Sequence, residues 1–338
     1  MRQINWLRDE CRYHVDKTPS QASLTIGTMP ALNTYETSTA QKPETVRGWP
    51  LVIVVVAALA ISGWAYLIAM VAAMVPVMDM AEAGPGMSLL NQFNIFRGLP
   101  DDARAALAVL CLPAGATFGM PSVELTWVDV GKIFLMWAMM ALAMMLPSAT
   151  PMLKSFHRHI SKHRSGPGLN VISTVFVVSG YLAVWLGYAI VATLAQVGLS
   201  KLGALSDMMA PVSLALTASV LIAAGIYQFT PAKTACLQRC WYPRWSFAKN
   251  TGRYGISDSV KEGIAQGWIC LGCCWAVMTV MFAVGLMNIL WIALLGVVMA
   301  LEKTFPSRFF PTAIGVFLLI WGGALALSIV LGGPATPS

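Results

Sequence analysis

The fold class predicted is all-α, a polytopic transmembrane bundle of about seven helices, and three observations predict it. Hydrophobic residues make up 57% of the 338 and charged residues only 11%, less than half the share of about 25% usual in soluble globular domains. Long apolar runs alternate with short polar segments. Those segments alternate between basic and acidic character, as cytoplasmic and external loops do. A net charge of +7 would also suit a nucleic-acid binder, but the basic residues fall between apolar runs and not along one polar face, so nucleic acid is excluded and the expected partner is the lipid bilayer.

Residues 1–47 mix both charge signs with Thr, Ser, Pro and Gln and lack a sustained apolar period, which predicts a disordered cytoplasmic tail. Cys11 and His14 are too few for a site, and the first apolar run begins too far in to be a cleavable signal peptide. Leu51 to Met78 is that run. At helical rise it reaches about 42 Å, enough to cross a hydrocarbon core of about 30 Å with some tilt. Residues 79–129 hold six acidic residues against Arg97 and Arg104 and form an external loop. Within it Asp101 opens a helical pattern that puts Ala103, Ala106, Leu107 and Leu110 on one side, as in a helix lying flat on a membrane.

Residues 130–331 form a six-helix core. Its first span, about 130–153, contains MWAMMALAMMLPSATPM, in which Met136, Met140 and Met144 recur at i,i+4 beside Met139. One face therefore presents thioether sulfurs, although such a stripe is commonly core packing. Pro147 and Pro151 are expected to break or kink the helix and free backbone carbonyls that need partners. Lys154 to Arg164, KSFHRHISKHR, holds four basic residues, three histidines and no acid, and reads as a cytoplasmic loop. His157, His159 and His163 have ligand chemistry, but a basic neighbourhood repels cations and favours lipid headgroups.

The third and fourth spans cover about 171–197 and 211–229, with Gly180, Gly187 and Gly225 allowing close helix approach. Residues 230–262 carry six basic residues against two acidic and are placed inside, with Cys236 and Cys240 at the cytoplasmic mouth. Residues 263–303 are long enough for two spans if 285–288 turns tightly; the short sixth span is full or re-entrant. Residues 310–331 make the seventh, which puts the N-terminus inside and the C-terminus outside. No internal repeat argues for inverted transporter halves.

The chemistry concentrates in QGWICLGCCWAVMTVMFAVGLM, residues 266–287, which holds three of the seven cysteines. Cys270, Cys273 and Cys274 are spaced i, i+3, i+4 and share one side of a helix that Met278 and Met281 extend. Buried cysteines can be mere small hydrophobes. The upstream pair Cys236 and Cys240 makes that reading weaker for the whole set. If the loop folds back, four or five thiols converge in a spacing that resembles a structural zinc site. Four thiolates around a divalent ion would leave two net negative charges in an apolar interior, whereas Cu(I) held by two or three thiolate or thioether ligands leaves less, so Cu(I) is favoured and Zn is less suited. Met140 and Met144 complete this candidate ligand set. A thiol-disulfide relay through Cys270 and Cys273 uses the same residues, and a structural subunit with packing cysteines is the third reading. No catalytic constellation, P-loop or dinucleotide fingerprint is present, so no enzyme activity is expected. Metal handling would call for a soluble metal-delivery protein as partner.

AGIYQFTPAKTACLQRC, GWICLGCCWAVM with its downstream FAVGLMN and ALEKTFP, and WAMMALAMMLPSATPM resemble the blocks of a bacterial family described as predicted metal-binding integral membrane proteins. The similarity spans about residues 130–331. The resemblance implies a multi-pass protein of the bacterial inner membrane with a metal role, and it points to Cys236, Cys240, Cys270, Cys273 and Cys274.

Overall fold

The computed structural model describes residues 48–75, 80–93, 126–163, 167–205, 211–245 and 255–332. The predicted tail and the predicted surface helix after Asp101 lie outside them. The described residues are helical, with one isolated bridge between Leu205 and Pro211. The helices are α1 (Trp49–Met74), α2 (Trp127–His163), α3 (Pro167–Lys201), α4 (Leu214–Gln228), α5 (Pro231–Trp241), α6 (Ile256–Thr279), α7 (Met281–Val284), α8 (Ile289–Thr304) and α9 (Phe309–Gly332).

Five segments are long and apolar enough to cross a membrane: Trp49–Met74, Trp127–Lys162, Gly168–Lys201, Ile256–Val284 and Phe309–Leu331. A sixth is reached if α4 and α5, bent by 62°, count as one broken span. The expected sixth span falls short. With 16 residues, α8 reaches about 24 Å at helical rise, less than a hydrocarbon core of about 30 Å.

Side-chain contacts set the helix directions. Trp49 lies against His157 with ring centroids 5.8 Å apart, and Trp64 Nε1 donates to the Ala143 carbonyl at 3.1 Å, so α1 runs antiparallel to α2. Trp137 Nε1 donates to Gln196 Oε1 at 2.7 Å and His157 Nδ1 meets Thr174 Oγ1 at 2.9 Å, which makes α3 antiparallel to α2. α6 lies parallel to α3 at very close range. A Cβ on Gly263 would run into the Val177 carbonyl, and one on Gly180 into the Val260 carbonyl, so only glycine lets these backbones touch. α9 packs antiparallel on α4, with Gly322 against Ile222 and Gly315 against Gln228 and Phe229. The turn after α7 uses Gly285 at φ +100°, where the left-handed region favours glycine. Residues 80–93 dock on that turn, with Asn288 Nδ2 donating to the Pro85 carbonyl at 2.9 Å.

Two expectations about α2 are corrected. The helix does not end near Pro147 and Pro151; both lie inside it. The bond that Pro147 cannot make leaves the Ala143 carbonyl open, and the Trp64 indole takes that place. The predicted loop at 154–164 is also helical as far as His163. Leu153, Phe156 and Ile160 are buried at i, i+3, i+7, an apolar stripe that the charges on the other face conceal.

Candidate metal centre

Two half-length helices frame the centre. α4 and α8 both stop at the level of the thiols on α6, where the polar residues at their ends find partners. At the end of α4, Tyr227 donates its hydroxyl to the Gly272 carbonyl, and Gln228 accepts from Lys233 Nζ. At the end of α8, both Glu302 oxygens accept from Lys233 Nζ at 3.0 Å, with Lys233 and Glu302 each 1% exposed. Thr230 caps α5 by accepting from the Lys233 backbone N–H at 3.3 Å, Pro231 fits its first turn, and the Trp241 indole donates to the Glu302 carbonyl at 2.7 Å. α5 is therefore tied at both ends to Glu302 of α8, by a buried ion pair from Lys233 and an indole hydrogen bond from Trp241, and it packs on α6.

That placement joins the two cysteine sets. Cys240 Sγ lies 3.6 Å from Cys273 Sγ, and Cys273 Sγ lies 3.3 Å from Cys274 Sγ. Cys236 sits over Gly272, where a Cβ would stand 2.7 Å from its sulfur. The sulfurs of Cys270, Cys273 and Cys274 all lie within 4.8 Å of one another. Three sulfurs ringed around a metal at about 2.3 Å stand about 4 Å apart, so the trio fits a trigonal or two-coordinate ion with little movement. All three are buried, Cys236 and Cys240 are half-buried, and none of the five is in a disulfide.

Cys270 has the richest surroundings. The Tyr181 hydroxyl lies 2.9 Å from its sulfur and 3.2 Å from the Met145 carbonyl. Lys303 Nζ donates to Cys270 Sγ at 2.9 Å and to Ser148 Oγ at 2.8 Å. Four elements thus meet around Cys270: α6 carries it, α3 brings Tyr181 and α8 brings Lys303 to its sulfur, and α2 brings Ser148 to Lys303. A cavity of about 20 Å³, room for one water-sized molecule, lies among Ser148, Met152, Tyr181, Cys240, Cys270 and Lys303.

Cys236 and Cys240, expected at the cytoplasmic mouth, lie at the level of the thiols on α6. Tyr181 bonds Met145, two residues from Ala143, which faces Trp64 near the middle of α1. The thiols therefore sit about halfway along α1, and Cys236 and Cys240 reach that level because α5 turns by 62° after α4. The methionine stripe is also placed differently. Met136, Met140 and Met144 are buried, but α2 packs chiefly on α1, α3 and α8, and Met144 lies against Gly296 of α8. α3 occupies the close approach to α6 that the stripe was expected to take. His157 is buried between α1 and α3, and His159 lies beside Trp245 with ring centroids 6.2 Å apart. The side chain of His163 is outside the described residues.

Sequence reasoning missed Tyr181, Ser148, Lys303 and the Lys233–Glu302 pair. The signal for two of them was Glu302-Lys303, adjacent charges between apolar runs, where ionisable residues in a membrane segment mark function by default.

Fold and centre together define an all-helical, apolar bundle with a buried thiol group able to hold a soft metal ion. The chain belongs to the PpoB2 family, described as copper chaperones, whose family model matches residues 134–325, more than half of the chain. No curated protein and no solved structure matches it.

Proposed function

We propose that this protein is a multi-pass membrane copper chaperone that carries Cu(I) on two thiolates drawn from Cys270, Cys273 and Cys274, with Cys240 and Cys236 as the thiols through which the ion enters and leaves. The observation that carries this reading is the convergence of four sulfurs from α5 and α6 inside an apolar bundle, in a chain of a copper-chaperone family. Thiolates select Cu(I) among biological metals, and a monovalent ion leaves less charge in low dielectric than Zn(II) with four thiolates. The role is binding and transfer, without catalysis.

In this proposal the five apolar helices cross the bacterial inner membrane, α4 with α5 forms a broken span, and α8 enters from outside and ends at the site. Lys154, Arg158 and Lys162 lie on the last turns of α2, at the end where Trp49 begins α1, so the positive-inside rule puts that end in the cytoplasm. A soluble metal-delivery protein would meet the half-buried Cys236 and Cys240 from that side.

The test is metal analysis of protein purified reduced and without oxygen. About one Cu(I) per chain is expected, lost when Cys270→Ser and Cys274→Ser are combined. The contact between Cys240 and Cys273 favours a second reading, a thiol-disulfide relay, in which that pair would be trapped by alkylation as a disulfide in cells while the protein holds no metal. Finding that pattern rejects the copper reading.

A further inference from the structure

Lys303 is a buried cation with no carboxylate partner among the described residues. Its ammonium makes two contacts, to Cys270 Sγ and Ser148 Oγ, and the neighbouring Glu302 directs both oxygens to Lys233. Lys303 itself is 7% exposed and lies in the last turn of α8, where the helix dipole favours positive charge. Lys233 and Glu302 cancel one another. The charge of Lys303 is left over, and the group that faces it is the sulfur of Cys270.

We propose, on the basis of the copper reading above, that Lys303 is the resident counter-ion of the metal complex and that it makes the site specific for a monovalent ion held by two thiolates. The charge count is direct. Two thiolates around Cu(I) or Ag(I) carry a net charge of −1, both thiol protons having left as the ion arrives, and Lys303 brings the total to zero in an interior where an uncompensated charge is costly. Three thiolates around the same ion would carry −2 and leave one charge unbalanced. A two-thiolate Hg(II) complex is already neutral and needs no lysine. Lys303 is thus a positioning and charge-balancing residue whose removal separates soft metals by their charge, which a packing role would not do.

The experiment measures Ag(I) and Hg(II) binding to the full-length protein in detergent, by competition with a chromophoric chelator, for the wild type and for Lys303→Gln. Glutamine removes the charge and keeps an N–H donor on a side chain one bond shorter. Ag(I) binding by Lys303→Gln is expected to weaken by about a hundredfold or more, the scale for stripping one partner from a buried charge, while Hg(II) binding changes by less than about threefold. Retained Hg(II) binding also shows that the thiols remain in place. Equal loss of both metals, or loss of neither, overturns the proposal. Sulfur coordination of Ag(I) in the wild type, read by X-ray absorption, gives an arm that needs no variant: two sulfurs are expected, and three or more overturn it. A wild type that binds neither metal instead rejects the copper reading on which the proposal rests.

Discussion

Glu302→Gln removes the carboxylate that faces Lys233 and leaves the ammonium buried at the bend between α4 and α5. Both residues are 1% exposed and the carboxylate receives Lys233 through both oxygens at 3.0 Å. Stripping one partner from such a pair costs about 3–5 kcal/mol. The Gln228 carbonyl oxygen still accepts from Lys233 in the variant, which puts the expected loss at the lower end, about 3 kcal/mol. At about 2–4 °C per kcal/mol for a chain of this size class, the unfolding midpoint in detergent falls by about 6–12 °C, followed by the fluorescence of the 12 tryptophans. Replacing both members, Lys233→Met with Glu302→Leu, removes both charges and is expected to recover most of the loss, to within about 1–2 kcal/mol of wild type. The reasoning fails if the double variant is as unstable as the sum of the singles, because the two residues would then act separately and the pair would not be what ties α5 to α8.

Gly263→Ala pushes a methyl group into the Val177 carbonyl and forces α6 away from α3; a loss of about 1–3 kcal/mol or more is expected in the same unfolding assay, with weakened Cu(I) binding as Tyr181 withdraws from Cys270. Tyr181→Phe deletes the hydroxyl between Cys270 and the Met145 carbonyl and should keep one Cu(I) per chain while weakening its retention against a chelator by about 2- to 10-fold, the scale of one hydrogen bond. Met140→Leu with Met144→Leu preserves volume at buried sites and is expected to change copper stoichiometry by nothing measurable and stability by less than about 1.5 kcal/mol; a loss of bound copper matching that of the cysteine variants would make the thioethers ligands.

The long apolar helices were legible because hydrophobicity over some 20 residues is a strong and local signal. The ligand chemistry was legible for a similar reason: Cys270, Cys273 and Cys274 lie within five consecutive residues, so helical geometry alone puts them on one side. Depth was not legible. Whether Cys236 and Cys240 lie at a membrane surface or halfway along the bundle depends on the 62° bend after Gln228 and on the docking of Lys233 against Glu302, a contact between residues 69 positions apart. The company of Cys270 was hidden for the same reason, since Tyr181, Ser148 and Lys303 each come from a different helix. The end of α2 was misjudged on composition: Phe156 and Ile160 bury their side chains while Lys154, Arg158 and Lys162 dominate the count of a short window.

The pairing of Pro147 with Trp64 bears on the order in which the protein is built. α1 precedes α2 in the chain, and until α2 lies beside it the indole N–H of Trp64 lacks the acceptor it has in the folded bundle. α2 in turn arrives with one carbonyl, that of Ala143, which its own helix cannot satisfy because Pro147 has no N–H to offer. Each helix thus carries half of a single bond at a fixed position along its length, and sliding one past the other by a turn separates the two halves in an apolar bundle. The proline that looks like a flaw in α2 acts as a latch for α1, selecting one register between the two helices before the cysteine-bearing helices have been synthesised.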